Sequence, residues 1–216
     1  MNKIFFLSAA AALTVLLAGC SKGEREAPDG LGKISFASSR TWVIDGAGIT
    51  QTWSDVVVAS GAKDKTTFYG LGDFDYDTST YVIKADWRNN PGYSGTLFSW
   101  EAVDRYQDYL CPSDWRVPAR EDFYNLIVAF GGTGSGQNDA TIRDKYLTIW
   151  GGEYGGRCLD DGSLYGQGRH GIYWSLTPTQ VASNMRSYYA LDIDAFDEVS
   201  TVVSYAINGA SVRCVK

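Results

Sequence analysis

The residues of this chain with the greatest capacity for chemistry are four cysteines and a single histidine. A nucleophilic thiolate needs a base within hydrogen-bond reach and a lowered thiol pKa, and Arg157 beside Cys158 would favour the thiolate with His170 as base. Two residues in a glycine-rich region are a weak basis for catalysis, and one histidine gives too few ligands for a zinc, copper or iron site. No motif selects a glycosidase pair among the 25 acidic residues. We therefore predict that the protein is not an enzyme.

An acidic segment offers oxygen ligands. Asp73, Asp75 and Asp77 would share one face of an extended backbone and could hold Ca²⁺. An EF-hand loop that starts at Asp73 requires Gly at position 78 and Glu at position 84, where the chain has Thr78 and Lys84, so that geometry is excluded. A solvated acidic loop is the default interpretation, and an irregular Ca²⁺ site is the alternative. We predict no other cofactor.

Two glycine-rich stretches, residues 151–162 and 166–171, carry aromatic and charged side chains and are predicted to be long surface loops. The Gly-Gln-Gly spacing at 166–168 neither follows a predicted strand nor opens a helix, so it does not indicate phosphate binding. Aromatic faces with polar neighbours suit stacking on sugar rings, although structural roles fit these residues equally well. The candidate ligand-binding residues are Tyr154, Arg157, Tyr165, Arg169 and His170, with Trp87 and Tyr93 as secondary candidates.

The N-terminal segment has the form of an export signal. Lys3 precedes the apolar run Ile4–Leu17, which is too short for a stable transmembrane helix. The sequence Leu17–Cys20 resembles the bacterial lipobox, which implies lipid transfer to the Cys20 thiol and removal of residues 1–19 as a signal peptide. An ordinary signal peptide with a chance cysteine is the alternative. Several acyl chains would anchor the protein firmly in a lipid bilayer.

Residues 20–32 are polar and lack apolar periodicity, so we expect a flexible tether between the lipid and a folded domain at 33–216. Ser21 follows the cysteine where inner-membrane retention signals have Asp. The predicted location is therefore the outer membrane, with the periplasmic and cell-surface faces both open.

Composition limits the fold and the partners. A chain of 216 residues with 44% hydrophobic content can bury one substantial core, and 24 glycines against 5 prolines favour short strands and irregular loops. The formal net charge is −6 and lysines and arginines are scattered, which excludes nucleic acid as a partner.

Two helices are predicted from apolar spacing. Ser99 can cap a helix that ends at Leu110, and Trp100 and Val103 fall on its apolar side. The segment Arg120–Phe130 has a stronger i, i+3, i+4, i+7 pattern and is terminated by glycines. Ile142–Trp150 is a further short amphipathic stretch, and the glycine- and serine-rich segment 131–138 before it is predicted to be a loop. Strands are predicted at Lys33–Val43, Ile49–Val58, Thr80–Trp87, Ile172–Thr177, Ser187–Asp194, Val199–Ile207 and Ala210–Lys216.

Four segments carry a family likeness as an ordered set: Gly95–Ala102, Cys111–Pro118, Tyr173–Thr177 and Ser211–Val215. In this order they resemble the Fibrobacter succinogenes major paralogous domain, which occurs on secreted and surface proteins of Bacteroidetes and Fibrobacteres. The likeness covers most of residues 33–216. The family looks like a relative of the C-type lectin-like fold, so the expected fold class is α+β, with two helices packed on small antiparallel sheets and long glycine-rich loops.

The chain departs from this family at two positions. Ala119 stands where the family usually has Thr or Ser, which removes a helix cap worth about 1 kcal/mol. Leu176 replaces the usual second Ser or Thr after the tryptophan.

The resemblance also bears on the cysteines. Beyond Cys20, three cysteines in an exported protein leave one bridge and one unbridged thiol, or an intermolecular pair. Cys111 and Cys214 both belong to family motifs, so we expect the disulfide between them and Cys158 outside it. The stretch Cys111–Pro118 would then join the helices to the last strand.

Together these observations predict a membrane-anchored bacterial surface lipoprotein with a non-enzymatic binding role toward a glycan or another protein. The alternative is a structural or accessory component of a cell-surface protein assembly, without a site for a small ligand.

Overall fold

The computed structural model describes residues 33–38, 40–60, 82–84, 95–111, 113–133, 136–159, 163–180, 186–196 and 198–216. Cys20, the aspartates at 73, 75 and 77, Trp87 and Tyr93 lie outside these residues, so the predictions made for them are not addressed by the structure. In chain order the elements are β1 (Lys33–Phe36), β2 (Thr41–Gly46), β3 (Ile49–Ser60), β4 (Val82–Lys84), β5 (Thr96–Ser99), α1 (Trp100–Leu110), α2 (Arg120–Ala129), β6 (Gly136–Asn138), α3 (Ala140–Thr148), β7 (Arg157–Cys158), β8 (Leu164–Tyr165), β9 (His170–Pro178), β10 (Ser187–Asp194), β11 (Glu198–Tyr205), β12 (Gly209–Ala210) and β13 (Arg213–Val215).

The expected α+β class is confirmed: the described residues form three helices and three small sheets whose strands pair antiparallel. The structure has a third helix, α3, over much of the stretch for which only short amphipathic character was predicted. Asp139 begins this helix, because its carboxylate accepts hydrogen bonds from the backbone N–H groups of Thr141 and Ile142. The predicted loop at 131–138 is wrong in its last three residues, which form β6 against β11.

The first sheet is built on the long strand β3. Its neighbours are β1 and β13, and β2 pairs with its first half as a hairpin. The single strand predicted at 33–43 is therefore wrong. One strand ends at Phe36 and the next begins at Thr41, because β1 and β2 pair with different halves of β3. The hairpin turn has Ala47 and Gly48 at φ 52° and 76°, as a two-residue turn of this kind requires.

The second sheet has the strand order β6-β11-β10-β9, and the third has the order β4-β5-β12-β7-β8. The strand predicted at 187–194 has the observed bounds. The single closing strand predicted at 210–216 is divided, because Gly209–Ala210 pairs with β5 and β7 whereas Arg213–Val215 pairs with β3. The last residues thus connect two sheets.

Two hydrophobic clusters lie on opposite sides of these sheets. The helix-side cluster packs α2 and α3 on residues such as Trp53, Tyr173 and Leu191. The disulfide-side cluster packs α1 on residues such as Trp174 and Val212. Because successive strand residues point to opposite faces, β9 and β13 contribute to both clusters, and their residues are buried on each side.

The expected disulfide between Cys111 and Cys214 is present, with Cα atoms 5.6 Å apart. It joins the end of α1 to β13, across 103 residues of sequence. Arg116 exchanges two backbone hydrogen bonds with Val215, of 3.1 and 2.9 Å, so the stretch after Cys111 is held to the last strand as predicted. Cys158 lies outside the disulfide and is buried.

Candidate functional site

The β7–β8 hairpin, the turn that follows it and the start of β9 bring together Arg157, Tyr165, Arg169 and His170, and the Tyr154 backbone is hydrogen-bonded to the same turn. Backbone hydrogen bonds hold these loops: the Gly168 N–H donates to the Tyr154 carbonyl at 2.9 Å, and the Gly156 N–H donates to the His170 carbonyl at 2.7 Å. The Ala195 N–H donates to the Arg169 carbonyl at 2.9 Å. We define this surface as the loop face, formed by Arg157, Tyr165, Arg169, His170, Asp192, Asp194 and Phe196; the Tyr154 side chain packs instead against the helix-side cluster.

A cross-strand pair, Arg157 and Tyr165, forms one end of the loop face. Arg157 and Tyr165 are direct partners in the β7–β8 hairpin, and the Arg157 guanidinium carbon lies 5.1 Å from the centre of the Tyr165 ring. The Tyr165 side of this pair is open to solvent, since the residue is 47% exposed. The His170 ring lies 5.9 Å from the Tyr165 ring on a tilted plane. The exposed Tyr165 ring therefore has a guanidinium group and an imidazole ring beside it.

His170 is oriented by a carboxylate. Its Nδ1 atom lies 3.1 and 3.2 Å from the two carboxylate oxygens of Asp192. The β9–β10 register explains the contact: His170 is opposite Asp194 and Ile172 is opposite Asp192, so His170 and Asp192 are diagonal neighbours on one face of the sheet. With Nδ1 directed at Asp192, Nε2 is the second polar atom of the ring.

Burial raises the pKa of the Asp192 carboxyl above its usual value of 3.8. The hydrogen bond from His170 and the charge of that imidazole oppose the increase, and Arg157 opposes it to a smaller extent. The Asp192 carboxylate is thus a partly desolvated acceptor within the loop face.

A second cation–aromatic pair lies at the other end of the loop face. The Arg169 guanidinium carbon is 4.3 Å from the centre of the Phe196 ring, and its Nε atom is 3.6 Å from an Asp194 carboxylate oxygen. Phe196 is 66% exposed, and its backbone N–H donates to Asp194 at 3.0 Å. Exposed ion pairs contribute little to stability. We therefore treat the Arg169–Asp194 pair as a source of polar groups that a ligand could contact.

Glycine is required where the loops approach most closely. Gly166 has φ 74°, and a Cβ atom there would lie 2.8 Å from Cδ2 of His170. Gly156 has φ 69°, and its Cβ would meet the Tyr165 carbonyl oxygen at 2.5 Å. Side chains at these positions would displace the His170 and Tyr165 rings.

The sequence did not identify Asp192, Asp194 and Phe196 as members of the site. Alternation along β10 places both aspartates on one face, opposite Leu191 and Ile193, which the structure buries. What the alternation could not give was the register of β10 against β9, which decides that the partner is His170.

No hydrogen bond joins Cys158 to His170 within the described residues. The Cys158 thiol is buried and donates to the Leu159 carbonyl at 3.4 Å. The described ranges also contain no group of three or more His, Cys, Asp or Glu side chains that could hold a metal ion.

Comparison of the chain with protein-family models, curated proteins and solved structures gave no match. Among the helices that the structure describes, none has the length and apolar character needed to span a membrane.

Proposed function

We propose that this protein is a membrane-anchored bacterial surface lipoprotein that recognises a glycan through the loop face. The observation that carries the proposal is the exposed Tyr165 ring, flanked by Arg157 and by the His170–Asp192 pair. Arg157, Tyr165 and His170, which are candidate residues from the sequence, lie next to one another, which supports the proposal.

The chemistry of the loop face suits a sugar. A pyranose presents C–H groups on its faces and hydroxyl groups at its rim, so it can stack on an aromatic ring while its hydroxyls form hydrogen bonds. Tyr165 and Phe196 supply the exposed rings. Arg157 and Arg169 supply donors, Asp192 supplies an acceptor, and the Nε2 atom of His170 serves in either role.

The fold and the location are parts of the same proposal. The ordered motifs support membership of the Fibrobacter succinogenes major paralogous domain family and kinship with the C-type lectin-like fold, which agrees with the α+β architecture. The lipobox at 17–20 supports lipid attachment at Cys20 and an outer-membrane location. A binding role without catalysis fits the absence of a catalytic motif from the sequence.

A glycan array probed with the full-length protein in detergent tests the proposal, with and without Ca²⁺. We expect binding to a restricted set of glycans, with a loss of about tenfold or more in affinity when Tyr165 is changed to Ala. Tyr124→Ala is the matched control, since Tyr124 is 49% exposed but lies on α2.

A loss of binding on removal of Ca²⁺ would favour the alternative in which the aspartates at 73, 75 and 77 bind Ca²⁺. Binding that Tyr124→Ala weakens as much as Tyr165→Ala would place recognition elsewhere. An array with no bound glycan would reject the glycan proposal.

A further inference from the structure

One edge of the second sheet has no partner strand among the described residues over part of its length. β11 pairs with β10 from Val199 to Tyr205, whereas β6 covers only Glu198–Ser200 on the other side. In the described part of the chain, no strand pairs with residues 201–205 on that side. We call these five residues the β11 edge.

The register shows which backbone groups face outward. The Ala206 N–H donates to the Arg186 carbonyl at 2.9 Å, so even-numbered residues of β11 direct their backbone polar groups toward β10. Odd-numbered residues direct theirs the opposite way, as Val199 does toward β6. Thr201, Val203 and Tyr205 therefore present their N–H and C=O groups at the open side.

The side chains of the β11 edge are uncharged, and two of them are exposed while Ser204 is buried. Val203 and Tyr205 are 44% and 43% exposed, and they point to the same face as Thr201. The Thr201 hydroxyl oxygen is buried with no hydrogen-bond partner among the described residues. Natural edge strands are usually protected by charged residues, proline or a bulge, and this five-residue run has none of these.

A guanidinium group lies beside this edge. Tyr189 pairs directly with Val203 across the sheet, and the Arg120 guanidinium carbon is 4.1 Å from the centre of the Tyr189 ring. Arg120 thus covers the face to which Val203 and Tyr205 project. Among the described residues no carboxylate forms an ion pair with Arg120, so the surface is complementary to a negative charge.

We propose that the β11 edge binds an extended segment of a partner protein, which adds a strand to the sheet. Apolar side chains at alternate positions of that segment would pack on Val203 and Tyr205, and an acidic side chain on the same face would pair with Arg120. Main-chain hydrogen bonds give affinity in this mode, and alternate side chains give specificity.

Two other occupants fit the surface less well. A glycan has no peptide groups to continue the ladder at Thr201, Val203 and Tyr205. A second copy of this chain, paired through its own β11 edge, would bring only uncharged side chains to the shared face and would leave Arg120 unpaired. Two chains of net charge −6 also repel each other.

The test is selection of a phage-displayed library of random peptides on the full-length protein in detergent. We expect enriched peptides with alternating apolar residues and at least one Asp or Glu. Bound peptide is expected to slow hydrogen exchange at the amides of Thr201, Val203 and Tyr205. In fluorescence anisotropy, Val203→Lys is expected to weaken binding by about tenfold or more and Arg120→Gln by several-fold, since it removes one charge-assisted contact.

Val43→Lys is the control, because it places the same charge on an exposed valine of β2, which belongs to neither proposed surface. Unchanged melting temperatures show that the substitutions leave the fold intact. Failure to enrich peptides, or enriched peptides that bind Val203→Lys normally, would overturn the proposal. Self-association that Val203→Lys abolishes would also overturn it and would assign the edge to a second copy. These outcomes are independent of the glycan array, which reports on the loop face.

Discussion

Arg213 shows how one residue can join several elements. Its side chain is fully buried, with Nε donating to the Ser54 carbonyl at 2.7 Å and a terminal nitrogen donating to the Trp150 carbonyl at 2.6 Å. The guanidinium also stacks on the Trp150 ring at 4.0 Å. A buried cation is costly unless its donors find acceptors, so these contacts fix β13 against β3 and the end of α3. Neither its charge nor its place in the closing strand predicted this burial.

The Asp192 carboxyl makes stability depend on pH in a defined direction. Its pKa is raised in the folded protein, so the folded state holds this proton more tightly than the unfolded state. Its contribution is therefore most favourable below the unfolded pKa near 3.8 and declines as the pH rises through the folded pKa.

We expect the free energy of unfolding of Asp192→Asn, relative to that of the wild type, to increase as the pH rises through the acidic range above 3.8, the unfolded value. Chemical denaturation across this range measures the difference, and carbon NMR of the wild type is expected to place the Asp192 midpoint above 3.8. A relative gain by the wild type over the same range would contradict the assignment.

At the scale of elements, the first turn of helix α2 is capped by a side chain from strand β9. Ala119 has no side-chain acceptor, and the N–H of Arg120 donates instead to the Thr177 hydroxyl of β9 at 2.9 Å. The Ala119 N–H donates to the Asp122 carboxylate at 2.7 Å, and Arg116 pairs with the same carboxylate at 2.6 Å. The cap expected to be missing is thus replaced through tertiary contacts.

Thr177→Val keeps the shape of the side chain and removes this acceptor, so we expect a loss of about 1 kcal/mol in the free energy of unfolding. Thr201→Val is a matched control, because the Thr201 hydroxyl has no hydrogen-bond partner among the described residues. Urea denaturation of both variants measures the difference. Equal effects would show that the Thr177 hydroxyl does not cap α2.

Elements whose signal is local were predictable from sequence. The helix at 100–110 and the strand at 187–194 were predicted within a residue. The helix has a capping serine and apolar residues on one side, and the strand has alternating apolar residues, so both signals are local. The division of 33–43 and of 210–216 into separate strands was missed, because it depends on which distant strand each part pairs with. For the proposed site, the glycine-rich stretches supplied candidate residues from the sequence, whereas Asp192 was not a candidate, because its contact with His170 depends on the register of β9 against β10.

At the scale of the molecule, the disulfide closes most of the domain into one loop. Cys111 and Cys214 are separated by 103 residues, and the loop contains α2, α3 and the whole second sheet. The loop face and the β11 edge both lie within it. Both proposed surfaces therefore depend on the same covalent closure.

Replacing both bridged cysteines with alanine is expected to destabilise the protein by several kcal/mol, up to about 4.7 kcal/mol in the chain-entropy treatment for a loop of this length. Thermal denaturation with and without reductant provides the measurement. Reductant is expected to lower the melting temperature of the wild type and to leave that of the double variant unchanged. If reductant left the melting temperature of the wild type unchanged, although the disulfide had been reduced, the bridge would have no stabilising role.

The arrangement of the first sheet has a mechanical consequence. β1 and β13 both pair with β3, but β13 carries the disulfide-bonded Cys214 whereas β1 contains no cysteine. A pull applied from the side of Lys33 acts first on the β1–β3 ladder, where Lys33 opposes Ser60. The bridge excludes residues before 111 from its loop, so this tension can detach β1 while the covalent loop that contains both surfaces stays closed.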